Sequence, residues 1–299
     1  MAVLDQQQPV GILAEGCKNI LAFSAITGFM NYRERQEIIA KSPISFAYLK
    51  RFNAAAGVLH LVQGILMLTL GFLLNWPVKV YTFYLNAAGP PPWLPSYQLL
   101  FSFNNLGIIL ASFPLISAIA HFTIAYPKNK SYNENLKKGM NPYRWYEYAF
   151  SSSIMIALIS TFVGILDFWS LTMIFVLNAL MIMFGYLMEL VNQKTEKTNW
   201  SAFNLGCISG GLPWIVIFAY FIGAVASTSG GQGPPTFVYF ILFTYFVLFM
   251  VFAANMVLQY KGVGRWKDYI YGERAYIILS FVAKTLLVWL VFSGVFAPH

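Results

Sequence analysis

Seven runs of mostly apolar residues dominate this sequence, and each is long enough to cross a lipid bilayer as a helix. The runs fall near residues 52–74, 96–126, 145–166, 168–191, 202–227, 236–260 and 275–296. A spanning helix needs about 20 such residues. Charged residues make up only 10% of the chain, compared with roughly 25% of a typical soluble domain. We therefore predict an all-α, multi-pass integral membrane protein, folded as a seven-transmembrane helix bundle in a lipid bilayer.

Turn-forming segments rich in Gly, Pro and Asn separate these runs. They lie at residues 88–92, 127–142, 192–199 and 229–235, where such residues favour turns over helix. The connection around Asp167 is so short that its two flanking helices must be antiparallel neighbours. This pattern divides the chain into a seven-helix domain at residues 51–299 and an N-terminal extension at residues 1–50.

The N-terminal extension contains an apolar stretch of its own, from Val10 to Met30. Glu15 and Lys18 interrupt it, and no Lys or Arg precedes it, so we expect neither a spanning helix nor a cleavable signal peptide there. An interfacial amphipathic helix and a disordered segment both fit this stretch.

Lys and Arg residues accumulate in alternate loops. Six precede the first span, five follow the second, two follow the fourth and four follow the sixth, which places 17 of the 19 on one side. The opposite side carries only Lys79, and Lys284 lies within a span. Because positive residues are retained on the cytoplasmic side, we predict a cytoplasmic N-terminus and an extracellular C-terminus.

Several function classes lack support in the sequence. The net charge of +8 is spread over loops, whereas nucleic acid binding needs a basic face on a folded module, so we expect no nucleic acid partner. Cys17 and Cys207 form no CxxC pair. There is also no HExxH motif, phosphate loop or pairing of a nucleophile with a base. We therefore expect no enzymatic activity.

Lys284 is the one basic residue in the middle of a span. A charged Lys at a helix centre costs roughly 2.5–3.5 kcal/mol on insertion scales, so we expect its side chain to face the bundle interior. Desolvation disfavours the ammonium form, and a neutral amine can attack an aldehyde to form a Schiff base. Glu147 is the best candidate for a counterion, because Asp167 and Glu189 fall near the ends of their spans. Without a ligand, Lys284 and Glu147 would form an ordinary interhelical ion pair.

Other polar side chains fall near the predicted depth of Lys284. His60 and His121 lie in the first and second spans, in the same half of the bilayer, which suggests a hydrated cavity or a group that accepts a proton. They could instead be packed histidines, or metal ligands, although no Cys or paired carboxylate completes a metal site. Ser280 lies one turn before Lys284 on the same helix face. Its hydroxyl could contact the Schiff base or serve only in helix packing.

The position of Glu147 conflicts with its predicted pairing. It follows Arg144 by three residues, so by these boundaries it would lie roughly 10 Å shallower than Lys284. Pairing requires either that the third helix begins earlier, with Pro142 in its first turn, or that Arg144 lies below the headgroups.

The segments around these residues resemble those of the heliorhodopsins, a branch of the microbial rhodopsins with a cytoplasmic N-terminus. The resemblance extends from about Arg51 to the end of the chain. Its most specific parts are residues 144–148 followed by three serines at 151–153, and residues 271–276 leading to Ser280 and Lys284. Further matches are His60 through Gln63, His121-Phe122, Asn178, Met181, Gly185 and Pro213-Trp214.

This resemblance implies that Lys284 carries all-trans retinal, with Glu147 as the counterion and Ser280 in place of the Asp that pumping rhodopsins carry. A polar cavity on the cytoplasmic side would be lined by His60, His121 and Gln63. The polyene would be surrounded by Tyr148, Ser151, Asn178, Met181, Gly185, Pro213, Trp214 and Phe249. Met256 departs from the Gln of better-known members, which bears on spectral tuning near the ring of retinal.

We therefore predict a light sensor that holds retinal as a protonated Schiff base. Light would isomerise the polyene, the Schiff base would transiently pass its proton to the polar cavity, and the changed helix packing would signal to an unknown partner. We also expect a homodimer. Net ion pumping is not expected, because one internal carboxylate offers no series of acceptor and donor groups.

Two alternatives to the sensor stay open. The first is a light-gated proton channel in which Glu147, the two histidines and Glu189 bind the proton in succession. The second is a transporter or enzyme-like bundle in which Lys284 binds a different anionic or carbonyl ligand.

Overall fold

The computed structural model describes residues 32–71, 77–228 and 233–296, and helices dominate these ranges. The predicted interfacial helix or disordered segment before Tyr32 lies outside them. The helices are α1 (Tyr32–Ala40), α2 (Phe46–Gly71), α3 (Leu106–Ala125), α4 (Asn129–Lys137), α5 (Pro142–Phe162), α6 (Phe168–Val191), α7 (Ser201–Ala226), α8 (Thr236–Lys261) and α9 (Tyr269–Phe296). A short 3-10 helix at Gly264–Lys267 joins α8 to α9.

Six of these helices are long and apolar enough to cross a membrane, namely α2, α3, α6, α7, α8 and α9. Helix α5 is the seventh long helix, with 21 residues. It is less apolar because Arg144, Glu147 and three serines interrupt it, yet it packs against α3, α6 and α8 inside the bundle. The predicted fold class, a helical bundle with seven long helices, is confirmed.

Three helices begin at least three residues earlier than the sequence predicted. Helix α2 begins at Phe46, where residue 52 was predicted. Helix α5 begins at Pro142, where the Asn141 side chain caps it by accepting a hydrogen bond from the Arg144 backbone N–H. Helix α9 begins at Tyr269, about six residues before the predicted start. Charged residues lie in the first two turns of each of these helices, and composition alone does not distinguish such turns from a loop. The early start of α5 removes the conflict over the depth of Glu147.

Strands β1 (Val78–Asn86) and β2 (Leu94–Phe103) form an antiparallel hairpin before α3. The predicted second span, which began at residue 96, was wrong over this segment. Strand side chains alternate between two faces, and here Phe83 pairs with Tyr97 on an apolar face while Thr82 pairs with Gln98 on a polar one. Composition counted over a window of residues does not reveal this alternation, so most of β2 was predicted as part of the second span.

The two ends of the bundle differ in charge. Helices α2, α5, α7 and α9 begin at the end that also carries α1, α4 and most Lys and Arg residues, which we call the basic end. The hairpin lies at the other end, where the Tyr81 backbone N–H donates to the Leu166 carbonyl at 2.9 Å, just before α6.

Helix α1 docks on the basic end of the bundle. Its Ile39 side chain is 5% exposed and packs in a cluster with Leu49, Tyr132 and Tyr269. The Arg35 guanidinium carbon lies 4.7 Å from the centroid of the Tyr260 ring, a cation–π contact. This helix is therefore part of the folded bundle.

Candidate functional site

Lys284 lies in α9 and is 3% exposed. Its Nζ donates hydrogen bonds to Ser280 Oγ at 2.7 Å and to Glu147 Oε1 at 2.9 Å. The Ser117 hydroxyl, from α3, donates to the same Glu147 oxygen at 2.6 Å. A buried ion pair needs such additional hydrogen bonds to offset the loss of solvation. The structure thus brings Lys284, Glu147 and Ser280 together, and it adds Ser117, which the sequence analysis missed.

A cavity of about 180 Å³ opens beside the Lys284 side chain. Helices α5, α6, α7, α8 and α9 all contribute to its walls, which are mainly aliphatic and aromatic. Nine of the residues singled out from the sequence line it: Tyr148, Ser151, Asn178, Met181, Gly185, Trp214, Phe249, Ser280 and Lys284. Pro213 is buried within α7 but is not a lining residue. Met256, the position that departs from the family pattern, is in the wall.

One face of α5 forms a long side of this cavity. Trp145, Tyr148, Ser152, Met155 and Ile159 line it at intervals of three or four residues, the spacing of side chains on one face of a helix. From Trp145 to Ile159 the face extends about 21 Å, at a rise of about 1.5 Å per residue. That periodicity was the available signal for the lining residues that the sequence analysis missed.

Two glycines, Gly185 in α6 and Gly210 in α7, leave room for bulky side chains that line the cavity. A Cβ atom at Gly185 would overlap the Trp145 indole, at 2.5 Å from Cζ3. A Cβ at Gly210 would overlap Met181 and would lie 2.8 Å from Phe249 Cζ. Because neither glycine has a side chain, Trp145, Met181 and Phe249 can reach the cavity surface.

Asn178 fixes the serine cluster of α5. Its Nδ2 donates to Ser152 Oγ at 2.8 Å and to Ser153 Oγ at 3.0 Å. Buried polar groups need such partners. The amide therefore joins α6 to α5 in the wall of a mainly apolar cavity.

The two histidines predicted near Lys284 stack on each other. Their ring centroids are 5.5 Å apart with an interplanar angle of 12°. His121 Nδ1 lies 2.8 Å from Asn53 Oδ1, whereas neither ring nitrogen of His60 has a hydrogen-bond partner within the described ranges. Gln63 bonds to Thr285, with its Nε2 2.9 Å from Thr285 Oγ1, and so joins α2 to α9.

A second, smaller cavity of about 30 Å³ lies between Glu147 and the basic end. Its lining includes His121, Asn53, Glu147, Arg144 and Glu273, but not His60 or Gln63. At 10–15 Å³ for each water, it has room for about two water molecules. The predicted polar cavity therefore has only one of its three predicted residues in its wall.

A cluster of buried charges closes this cavity toward the basic end. Arg144 forms ion pairs with Glu189, at 2.5 Å, and with Glu273. Trp145 Nε1 and the Tyr269 hydroxyl also donate to Glu189, at 2.6 and 2.8 Å. These contacts tie α5 to both α6 and α9.

The burial of this cluster was not predicted from the sequence. Arg144 was counted among the loop residues, but it is buried at 6% exposure. Glu189 lies near the end of α6, as predicted, but it is only 2% exposed. Glu273 is also buried, at 1% exposure. Glu147 is therefore not the one internal carboxylate, so a single internal carboxylate is no longer a reason to expect no pumping.

Tyr132, in α4, links the histidines to this cluster. Its hydroxyl donates to Glu273 Oε1 at 3.2 Å and accepts from Asn53 Nδ2 at 3.4 Å. Burial, and then the nearby Glu273 carboxylate, raise the pKa of the Tyr132 phenol well above its ordinary value. Tyr132 therefore stays neutral and keeps its proton for the hydrogen bond to Glu273.

Comparisons with known proteins agree with this architecture. A family model described as Heliorhodopsin matches residues 49–296. No curated protein matches the chain.

Two solved structures from Salpingoeca rosetta share the fold. The transmembrane domain and linker region of its rhodopsin phosphodiesterase is 15% identical and has a TM-score of 0.58, over 98% of this chain and 85% of that chain. The transmembrane domain alone is 15% identical and has a TM-score of 0.55, over 98% and 100% of the two chains. At this identity, the likeness shows a shared rhodopsin fold.

Proposed function

Because the chain belongs to the heliorhodopsin family, we propose that it is a light-sensing membrane protein that binds all-trans retinal at Lys284. The observation that carries this proposal is a buried amine beside an apolar cavity, paired with one carboxylate. The family makes the chain a retinal-binding rhodopsin. The isomer, the photocycle and the role as a sensor are the proposed parts.

The residues present fit retinal. The cavity is elongated along α5, lined mainly by aromatic and aliphatic side chains, and it reaches Lys284, the one buried lysine among the described residues. Such a slot suits a conjugated apolar chain with an aldehyde at one end. Retinal bound through a carbon–nitrogen double bond to Lys284 Nζ would supply visible absorption and light-driven isomerisation.

Three side chains would hold the proton at Lys284 Nζ. Glu147 supplies the compensating negative charge, Ser280 accepts a hydrogen bond from Nζ, and Ser117 keeps the carboxylate oriented. Water is largely excluded there, so the charges interact more strongly than they would at the surface. The site is thus arranged to favour a protonated nitrogen in the dark.

The polar groups toward the basic end would receive that proton after illumination. His121 lines the small cavity that Glu147 also lines, and His60 stacks on His121. His60, whose ring nitrogens have no hydrogen-bond partner among the described residues, offers one further acceptor nitrogen. We propose that the proton stays within this group and then returns to Nζ, without net transport.

The location and assembly follow from the same proposal. The distribution of Lys and Arg supports a cytoplasmic basic end. We propose residues 1–50 as a cytoplasmic extension, of which α1 and the start of α2 pack on the bundle, and residues 51–299 as the rhodopsin domain. We propose a homodimer that signals to a partner through altered helix packing and has no enzymatic activity of its own.

The decisive experiment is a visible spectrum of the protein expressed with all-trans retinal. Wild type should be coloured, and Lys284→Ala should be colourless. Lys79→Ala, at the exposed Lys of β1, is the matched control and should keep its colour. A colourless wild type, or a coloured Lys284→Ala variant, would contradict the proposal and favour a different ligand.

A light-gated proton channel is the second candidate. The small cavity supports it, because His121, Glu147 and Glu273 all line it and it has room for about two water molecules that could carry a proton between them. Patch-clamp recording separates the two functions. A photocurrent that disappears in Glu273→Gln would favour the channel, whereas absence of current with a normal photocycle would favour the sensor.

A further inference from the structure

We propose that Tyr148 and Tyr245 are positioning residues that clamp α9 on both sides of Ser280, next to Lys284. The clamp would hold Lys284 Nζ against Glu147. This inference rests on the proposed retinal site and assigns two further residues to its support.

Two tyrosine hydroxyls from different helices bond to the backbone of α9. Tyr148, in α5, donates to the Tyr276 carbonyl at 2.9 Å. Tyr245, in α8, donates to the Ala283 carbonyl, next to Lys284 in the chain. Both tyrosines are buried, at 7% and 5% exposure. The two bonded carbonyls lie about two helical turns apart, on either side of Ser280.

Such bonds restrain the helix without breaking it. A helical carbonyl has a second lone pair besides the one used by the amide four residues later. A hydroxyl that takes this position fixes both the rotation of α9 and its distance from the neighbouring helix. Phenylalanine would fill almost the same volume, so the buried hydroxyl is the part that makes this link.

The clamp also connects the cavity to the backbone of α9. The rings of both tyrosines line the large cavity, while their hydroxyls hold the helix that carries Lys284. Tyr148 has a second contact, because Lys284 Nζ lies 5.0 Å from the centroid of its ring. Tyr245 donates to a backbone carbonyl next to Lys284. Its substitution by Phe therefore tests that hydrogen bond without altering the contact between Lys284 Nζ and the Tyr148 ring.

The test compares Tyr245→Phe with Tyr260→Phe. Both residues lie in α8, both are buried, and the Tyr260 hydroxyl also donates to a backbone carbonyl, that of Met188, at 3.3 Å. Tyr260 lies near the basic end, and its hydroxyl bonds to α6 instead of α9. The two variants therefore remove the same chemical group from the same helix.

Two measurements report on the clamp. Hydrogen–deuterium exchange in the retinal-free, full-length chain should become about tenfold faster over residues 283–288 in Tyr245→Phe, because one of the restraints on local opening is lost. With retinal, the visible band should bleach at a pH about one unit lower, a tenfold change in proton affinity, because Nζ moves away from Glu147. Tyr260→Phe should change neither quantity.

Unchanged exchange and bleaching in Tyr245→Phe would overturn the proposal, as would equal changes in Tyr260→Phe. If Tyr245→Phe does not fold, Tyr148→Phe should show faster exchange over residues 276–282, and unchanged exchange there would likewise overturn it. A wild type without colour would contradict retinal binding, while the exchange measurement would still decide whether the clamp exists.

Discussion

Lys284 Nζ and Glu147 Oε1 lie 2.9 Å apart, although 137 positions separate the two residues in the chain. The contact joins α9 to α5, and the Ser117 hydroxyl brings α3 to the same carboxylate. Three helices therefore meet at one buried charge pair. Changes at this point should alter both colour and stability.

Glu147→Gln should lower the pH at which the visible band bleaches by about two units or more, because a buried cation loses its anionic partner at a cost of about 3–5 kcal/mol. Ser117→Ala is the control, since it removes one hydrogen bond and keeps the charge. Its shift should be about one unit or less. Absorbance titration measures both, and equal midpoints in the two variants would contradict the assignment of Glu147 as counterion.

Arg144→Met should reduce the free energy of unfolding by about 3–5 kcal/mol, because Glu189 and Glu273 would be left buried without their cation. Arg265→Met removes an exposed arginine near the start of α9 and should change stability by about 0.5 kcal/mol or less. Unfolding in detergent, followed by tryptophan fluorescence, compares the two. A loss no greater than that of Arg265→Met would show that Arg144 does not hold the cluster.

Gly107→Ala should destabilise the bundle by about 1–3 kcal/mol, because the added methyl group would collide with the backbone of Gly71, where α2 and α3 cross. Gly211→Ala, in α7, has no atom within 4 Å of its added Cβ and should be neutral or slightly stabilising. Thermal unfolding of both variants tests this expectation. Similar melting temperatures would argue against the close crossing of α2 and α3.

Arg35→Ala should loosen α1, because it removes the cation–π contact with Tyr260 and the packing of a buried side chain. Hydrogen–deuterium exchange over residues 32–40 should become several-fold faster. Arg33→Ala changes an exposed arginine of the same helix and should leave exchange as it is in wild type. Faster exchange in both variants would indicate a general loss of helix propensity instead.

The bundle itself was predictable because apolar length is a strong signal. Helix α6 begins and ends as predicted, at residues 168 and 191, since Asp167 caps its first turn and the run is uniformly apolar. The β1–β2 hairpin was missed because its strands contain enough apolar residues to extend the next span. Composition over a window does not distinguish alternation from a continuous apolar stretch.

The predicted site was more accurate near Lys284 than near the basic end. A lone lysine in an apolar run admits few interpretations, so Glu147 and Ser280 could be placed beside it. Arg144 and Glu273 were assigned to loops, because a charge near the end of a span has the same composition whether it faces water or a buried partner. Only the packing of α5, α6 and α9 separates these two cases.

The position of the Arg144 guanidinium between two carboxylates means that Glu189 and Glu273 share one cation. Their contributions to stability should therefore be coupled, since removing one acid changes the pairing of the other. A double-mutant cycle of Glu189 and Glu273 would measure the coupling free energy between these two residues. Neither single substitution alone would give the contribution of its residue to the free energy of unfolding.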